Sequence, residues 1–300
     1  MKQMQVNPQI SIALAEGRPL VALESALITH GFAYPASVEI TAQMAAAIRA
    51  EGAEPAVVGI WHGVPTVGLS AAQIKALAAD KTAVKVSVRD LPLAGVRGLH
   101  GGTTVAATSL LAHRAGLRVF ATGGIGGVHR GHPEDISADL PVLAATPIIV
   151  VCAGAKAILD LPRTLEFLET WGVPVLGWRA EEFAAFYSRS AGLPVDQRVA
   201  DTETVVAIYR QQRALQLPQG VLLTVPVPAA DAISPEESAP LIAQALAEAE
   251  AQAITGKRVT PYLLARLVEL SGNRTKIANE SLLINNARVA AQVACALTAE

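Results

Sequence analysis

Pro147-Ile148-Ile149-Val150-Val151-Cys152 is an apolar run closed by the small-residue turn Ala153-Gly154-Ala155 and followed by Lys156. The run is short, rich in β-branched side chains and bounded by Pro and Gly, so it predicts a strand buried on both faces. Burial on both faces belongs to parallel sheets covered by helices. Working outward, similar runs predict strands over 19–23, 56–60, 83–88, 117–121, 173–176 and 220–225. Amphipathic stretches fall between them. One opens with Ser37 as N-cap and stops at Gly52; others cover 70–79, 103–115, 161–170 and 202–215. The last sixty-odd residues change character. Ser234-Pro235-Glu236-Glu237 has the form of a capping box with Pro at the first helical position. It opens an Ala-rich helix to about 254, a second helix runs from Thr260-Pro261 to Gly272, and a third covers 276–298. Strands separated by helices predict an α/β fold: a three-layer α/β/α sandwich with a large mixed, mostly parallel central sheet and C-terminal helices packed on it. No low-complexity linker or repeat divides the chain, so residues 1–300 are expected to form one domain.

Composition narrows the function. The 300 residues are 51% hydrophobic and only 17% charged, which suits a doubly covered sheet or a buried subunit interface. Lys plus Arg number 24 and Asp plus Glu 26, a formal charge of −2, which gives no support to a nucleic-acid or polybasic membrane binder. Aromatic residues, at 4%, are too sparse for base-stacking platforms. The longest uncharged window, 55–74, is broken by Gly59, Gly63, Pro65 and Gly68, so no membrane span is expected. Cys152 and Cys295 lack both a disulfide framework and zinc spacing, and a reducing cytoplasm is the simplest setting.

In open α/β sheets ligands gather at the carboxyl ends of strands, and the distinctive segments of this chain fall there. Thr122-Gly123-Gly124-Ile125-Gly126-Gly127-Val128-His129-Arg130-Gly131 is either an anion cradle, with His129 and Arg130 adding donors, or a tight glycine-rich turn without a ligand. Gly101-Gly102-Thr103-Thr104 before an apolar helix is either a second anion site or ordinary capping by Thr103. Lys85 either neutralises a phosphate or is simply solvated. Asp135 and Asp139, four apart, either share one face of a helical turn and hold a hard cation, or match a helix dipole. Lys156 follows an apolar strand; it is either a desolvated amine acting as a nucleophile or a lysine snorkelling to water. Glu24, at the end of a buried strand, is either a proton donor with a raised pKa or an acid paired with an arginine. Asn279 and Asn285-Asn286 are poor helix formers inside the last helix; a reach into a site would explain one of them, and solvent exposure all of them. His30, His62, His100, His113 and His132 form no metal spacing.

Together these segments resemble the pseudouridine-5′-phosphate glycosidase family, also called indigoidine synthase A-like, over about 21–290. The resemblance is carried by Val21-Ala22-Leu23-Glu24-Ser25 with Thr29-His30-Gly31, Arg89-Asp90-Leu91-Pro92, Gly102-Thr103-Thr104-Val105-Ala106, the run from Phe120 to Gly131, residues 135–140, Ala153-Gly154-Ala155-Lys156 and Asn285-Asn286-Ala287. The resemblance implies reversible cleavage of pseudouridine 5′-phosphate to uracil and ribose 5-phosphate by a homotrimer. It implies Lys156 as nucleophile and Glu24 as proton donor. Lys85, Val105, Thr122, His129, Ser137, Ala138 and Asp139 match substrate-contacting positions, Asn279 the asparagine that approaches the base, and Asp135 a ligand of Mn²⁺ or another divalent cation, one per subunit. The chain departs from the family pattern between Gly131 and Asp135, where His132-Pro133-Glu134 is about two residues short. A Schiff-base enzyme acting on another sugar phosphate needs the same lysine but no base pocket, and a sugar-phosphate sensor needs neither Lys156 nor Glu24.

Overall fold

A computed structural model describes residues 3–299. β1 (Gln5–Val6) and α1 (Pro8–Ala15) lead to β2 (Leu20–Leu23), a π-helical turn at Leu27–Gly31 and α2 (Ala36–Ala50). β3 (Glu54–Trp61) and β4 (Val64–Val67) form a hairpin, and α3 (Ala71–Ala79) starts at a Ser70–Gln73 capping box. β5 (Val84–Val86), α4 (Leu91–Arg97), β6 (Gly101–Thr103), α5 (Val105–Ala115) and β7 (Val119–Ala121) come next. The glycine-rich segment carries β8 (Val128–His129) and β9 (His132–Ile136), followed by α6 (Asp139–Leu143) and β10 (Ile149–Cys152). β11 (Leu159–Asp160), α7 (Leu161–Thr170), β12 (Val175–Trp178), β13 (Gln197–Val199), α8 (Thr202–Ala214) and β14 (Val221–Thr224) complete the α/β part. The chain closes with α9 (Pro235–Ala251), α10 (Val259–Leu270) and α11 (Arg274–Thr298).

The central sheet runs β1-β4-β3-β2-β7-β10-β14-β12-β13, with β6 beside β3 and β5 beside β6. Its pairings are parallel except β3 with β4 and β3 with β6, so the sheet is mixed and mostly parallel. β2, β10 and β14 are buried at every position, as their unbroken apolar runs require. Each aliphatic side chain fully buried in this way contributes about 1.5–3 kcal/mol. α11 covers β2, β7 and β10 and packs against α2 and α8, while α5 lies against β2, β3 and α6. α10 joins α9 to α11, so of the C-terminal helices α11 packs on the sheet and carries the other two.

Several local expectations are corrected. Ser37 does not cap α2: the helix begins one residue earlier, and Ser37 is buried inside its first turn. Thr103 ends strand β6, and Thr104 is the residue that caps α5, accepting from Ala107 N. The strand expected over 83–88 is cut to β5, because Ser87 and Asp90 cap a 3-10 turn there. Missed altogether were the π-helical turn and a small antiparallel sheet, β11-β8-β9, which folds the glycine-rich segment back onto the residues after Lys156.

Gly154 makes that arrangement possible. Its φ of +78° is left-handed, and a Cβ there would collide with the carbonyl oxygen of Ala184. Gly154→Ala is therefore expected to lower the unfolding free energy by about 2–4 kcal/mol, from backbone strain plus forced displacement. Urea titration with an unchanged slope and a lower midpoint is the check.

Candidate active site

β2, β7 and β10 are parallel neighbours in register: Leu23 lies opposite Ala121, and Ala121 opposite Val151. The next residue on each of the first two strands, Glu24 and Thr122, therefore meets at the carboxyl edge of the sheet. The Thr122 hydroxyl donates to Glu24 Oε1. Beyond the strand ends the chains leaving β7 and β10 keep pairing. Ala153 N donates to Gly123 O at 2.8 Å, Ile125 N to Gly154 O at 3.0 Å, and Lys156 N to Ile125 O at 3.1 Å. The Lys156 side chain, partly buried, turns back and donates from Nζ to Gly124 O at 2.5 Å.

Glu24 is partly buried in this edge. Burial pushes its carboxyl above the ordinary value of 4.5; Lys156, the Thr122 hydroxyl and, more weakly, Lys85 oppose the rise, and Asp139 adds to it. The hydrogen-bond partner of this acid is thus the Thr122 hydroxyl, and the strongest positive influence on it is the Lys156 amine and not an arginine. Cys152, directly before the turn, is no rival nucleophile, since burial pushes its thiol up to about 12.

Asp139 takes up one backbone donor from each of the two candidate anion segments. This buried carboxylate accepts from Ala106 N at 2.9 Å through Oδ1 and from Gly126 N at 2.8 Å through Oδ2. The anion at the start of α5, and at this part of the glycine-rich loop, is therefore the protein's own. Ile125 N and Val128 N are also bonded internally, the latter to Thr164 Oγ1 at 3.0 Å. Gly126 is required for closeness, because a Cβ would overlap Ser137 Oγ and lie 2.9 Å from Asp139 Oδ2.

Asp135 and Asp139 do not share a helical face. Asp135 lies on the exposed strand β9, while Asp139 is the first residue of α6. The short linker from Gly131 to Asp135 is taken up by a tight turn at Arg130-Gly131, where Gly131 has φ +75°. Among the described residues no group of three His, Cys, Asp or Glu is placed to hold a metal ion. His129 sits on β8 opposite Leu159. Ser137 accepts from Asp139 N at 3.2 Å through its hydroxyl, and Ala138 is exposed at the N-cap of α6. Val105 is the buried first residue of α5, and Lys85 pairs with Gly102 across β5 and β6. Asn279 flanks the loop, its Oδ1 lying 3.6 Å from where a Cβ on Gly123 would stand. The structure thus gathers Glu24, Thr122, Lys156 and Asp139, with Lys85 within electrostatic reach, and leaves Asp135 on the outer hairpin.

Three further residues build this edge. Asn286, fully buried in α11, donates from Nδ2 to Thr122 O at 2.8 Å. The poor helix propensity of Asn285-Asn286 was the signal. Phe186, at φ +61°, packs with Cδ2 2.7 Å from the Cβ position of Gly124. Arg130 donates to two backbone carbonyls just after Lys156 and not to an open anion site. Nothing in the local sequence marked Phe186.

Comparison with known proteins agrees with this architecture. The chain is 54% identical to a pseudouridine-5′-phosphate glycosidase of Methylobacterium nodulans, over 97% of this chain and 87% of that one. It is 49% identical to the Paracoccus denitrificans protein of the same name, over 97% of each. Among solved structures, the prealnumycin C-glycosynthase AlnA in complex with ribulose 5-phosphate superposes with a TM-score of 0.92 at 42% identity, over 100% of this chain and 98% of that one. An indigoidine synthase A-like protein of Thermotoga maritima gives 0.91 at 33% identity, over 99% and 97%. The family model described as indigoidine synthase A like protein matches residues 9–296. With a sheet edge of this form and a match of this extent, the chain belongs to the indigoidine synthase A-like protein family.

Proposed function

We propose that this protein reversibly cleaves the carbon–carbon glycosidic bond of pseudouridine 5′-phosphate to uracil and ribose 5-phosphate, with Lys156 as nucleophile and Glu24 as proton donor. The observation that carries the reading is one amine and one acid of raised pKa brought together at the carboxyl edge of β2, β7 and β10. The relatives named for this activity and the structural neighbour holding a pentulose 5-phosphate support the substrate class.

The residue types suit the bond. Uracil is attached through C5, a leaving atom with no lone pair to protonate. Lys156 Nζ bonds to C1′ while the C1′–O4′ bond breaks, and O4′ takes a proton from Glu24. The Glu24 carboxylate then takes a proton from the alkylated nitrogen, which frees an electron pair there. As Glu24 returns that proton to C5 of uracil, the C1′–C5 bond breaks into the base and nitrogen forms a double bond to C1′. Water then hydrolyses that imine, releasing ribose 5-phosphate and the free lysine. One hard step is thereby split into easier ones. The Thr122 hydroxyl orients Glu24, and in this reading Asn279 approaches the base while Lys85 and His129 serve the sugar phosphate. The phosphate, remote from the broken bond, supplies binding energy for positioning.

We also propose one Mn²⁺ or other divalent cation per subunit, held through Asp135. A single exposed carboxylate fits only a hard ion that keeps most of its water shell. Such an ion would supply positive charge to substrate oxygens. Residues 1–300 are taken as one domain acting as a homotrimer in the cytoplasm, consistent with two unpaired cysteines and with no helix among the described residues long and apolar enough to cross a membrane.

Lys156→Ala is expected to lower turnover of pseudouridine 5′-phosphate by about three orders of magnitude or more. Borohydride added with ribose 5-phosphate is expected to leave a covalent adduct on Lys156, read by peptide mass spectrometry. A wild-type protein that turns over substrate yet never traps would remove the imine.

Glu24 gives a stability test. Its folded pKa is raised, so the unfolded chain releases the proton first and the wild type loses stability as pH climbs above the ordinary 4.5. Glu24→Gln is expected to melt higher than wild type near neutral pH, with the gap closing towards about pH 4, and to lack activity throughout. Melting curves across pH decide it.

Chelation is expected to stop turnover and added Mn²⁺ to restore it. Asp135→Asn is expected to raise the Mn²⁺ concentration needed for half-maximal rate by about tenfold or more. An unchanged Mn²⁺ titration would detach the cation from Asp135.

A further inference from the structure

Arg130 stands next to His129 at the tip of the β8–β9 hairpin, where a guanidinium invites assignment to the substrate phosphate. Its hydrogen bonds point elsewhere. Nε donates to Leu159 O at 2.9 Å and Nη2 to Ala157 O at 3.1 Å. These are the two adjacent donors of the guanidinium fork, the edge that would grip an anion bidentately. They are spent on the backbone immediately after Lys156.

That backbone is a closed turn. Leu159 N donates to Lys156 O at 3.0 Å, and Lys156 N is held by Ile125 O. Leu159 then pairs with His129 across β11 and β8. Upstream, Phe186 N donates to Ala153 O at 2.9 Å, and the Phe186 ring presses on Gly124, whose carbonyl holds Lys156 Nζ. The stretch before Lys156 is thus fixed by main-chain pairing and packing. The stretch after it is buried and closed by one main-chain bond and a two-residue strand, and Arg130 adds two side-chain hydrogen bonds to its carbonyls.

We infer that Arg130 is a positioning residue for Lys156: by bridging Ala157 O and Leu159 O it fixes the turn that aims the amine. The inference rests on Lys156 being the nucleophile. A displacement of about 1 Å in a reacting group costs on the order of 100-fold in rate. A phosphate ligand, by contrast, contributes mainly to binding.

The experiment compares wild type, Arg130→Ala and Arg130→Lys for kcat and KM with pseudouridine 5′-phosphate, and for the rate of borohydride trapping with ribose 5-phosphate. For Arg130→Ala, kcat and the trapping rate are expected to fall about 100-fold with KM within about threefold. Arg130→Lys is expected to fall in between, because an ammonium is a point donor without the planar fork. It also keeps the test open should the alanine variant fail to fold. A KM raised more than tenfold with kcat retained would assign Arg130 to the substrate and overturn the inference. So would trapping at the wild-type rate in Arg130→Ala. Absence of any adduct in wild-type protein would instead overturn the nucleophile, and the positioning role with it.

Discussion

The β7–β10 ladder does not stop where the strands do. Gly123 O, Ile125 N and Ile125 O continue it onto Ala153, Gly154 and Lys156. Everything at this edge depends on that continuation. A glycine-rich loop is ordinarily mobile because its backbone groups face water. Here each bond made to the neighbouring chain contributes about 1 kcal/mol net, and the loop behaves as sheet. Lys156 thereby inherits the rigidity of a central strand although it lies past the end of one.

The second constraint is that this edge carries its own anion. Asp139 ties the first turn of α5 to Gly126, so a helix start and a glycine loop that each resemble phosphate sites are closed against one another. Leaving either buried N–H unpaired would cost about 1–3 kcal/mol. The glycines serve this closure. Gly126 and Gly124 have no room for a Cβ beside Ser137 and Phe186, and neither has a left-handed φ. The loop needs glycine for contact more than for conformational freedom.

That difference explains which parts were legible. The strands at 20–23, 149–152 and 221–224 announced themselves as unbroken apolar runs, because burial on both faces leaves no polar alternation to blur them. Glu24, Thr122 and Lys156 followed from the rule that strand ends collect ligands. Ser37 misled because capping preference is local, and Pro35 had already turned the chain into the helix. Asp135 and Asp139 misled because a spacing of four has meaning only inside a helix, and the helix starts at Asp139. Arg130 and Phe186 act on residues 27 to 62 positions away, a distance that no local pattern encodes.

The electrostatics of Glu24 are a contest whose balance an anionic substrate would tip further. Burial and Asp139 hold the proton on; Lys156, Thr122 and Lys85 draw it off; burial is the largest influence. Lys156 and Lys85 are the basic groups around Glu24 and Asp139 the acidic one, a balance suited to a sugar phosphate. Under the proposed function the incoming phosphate is a further negative charge, and a like charge nearby disfavours a carboxylate. Binding would then raise the pKa of Glu24 again, so that the acid is best protonated when a substrate is present to receive the proton.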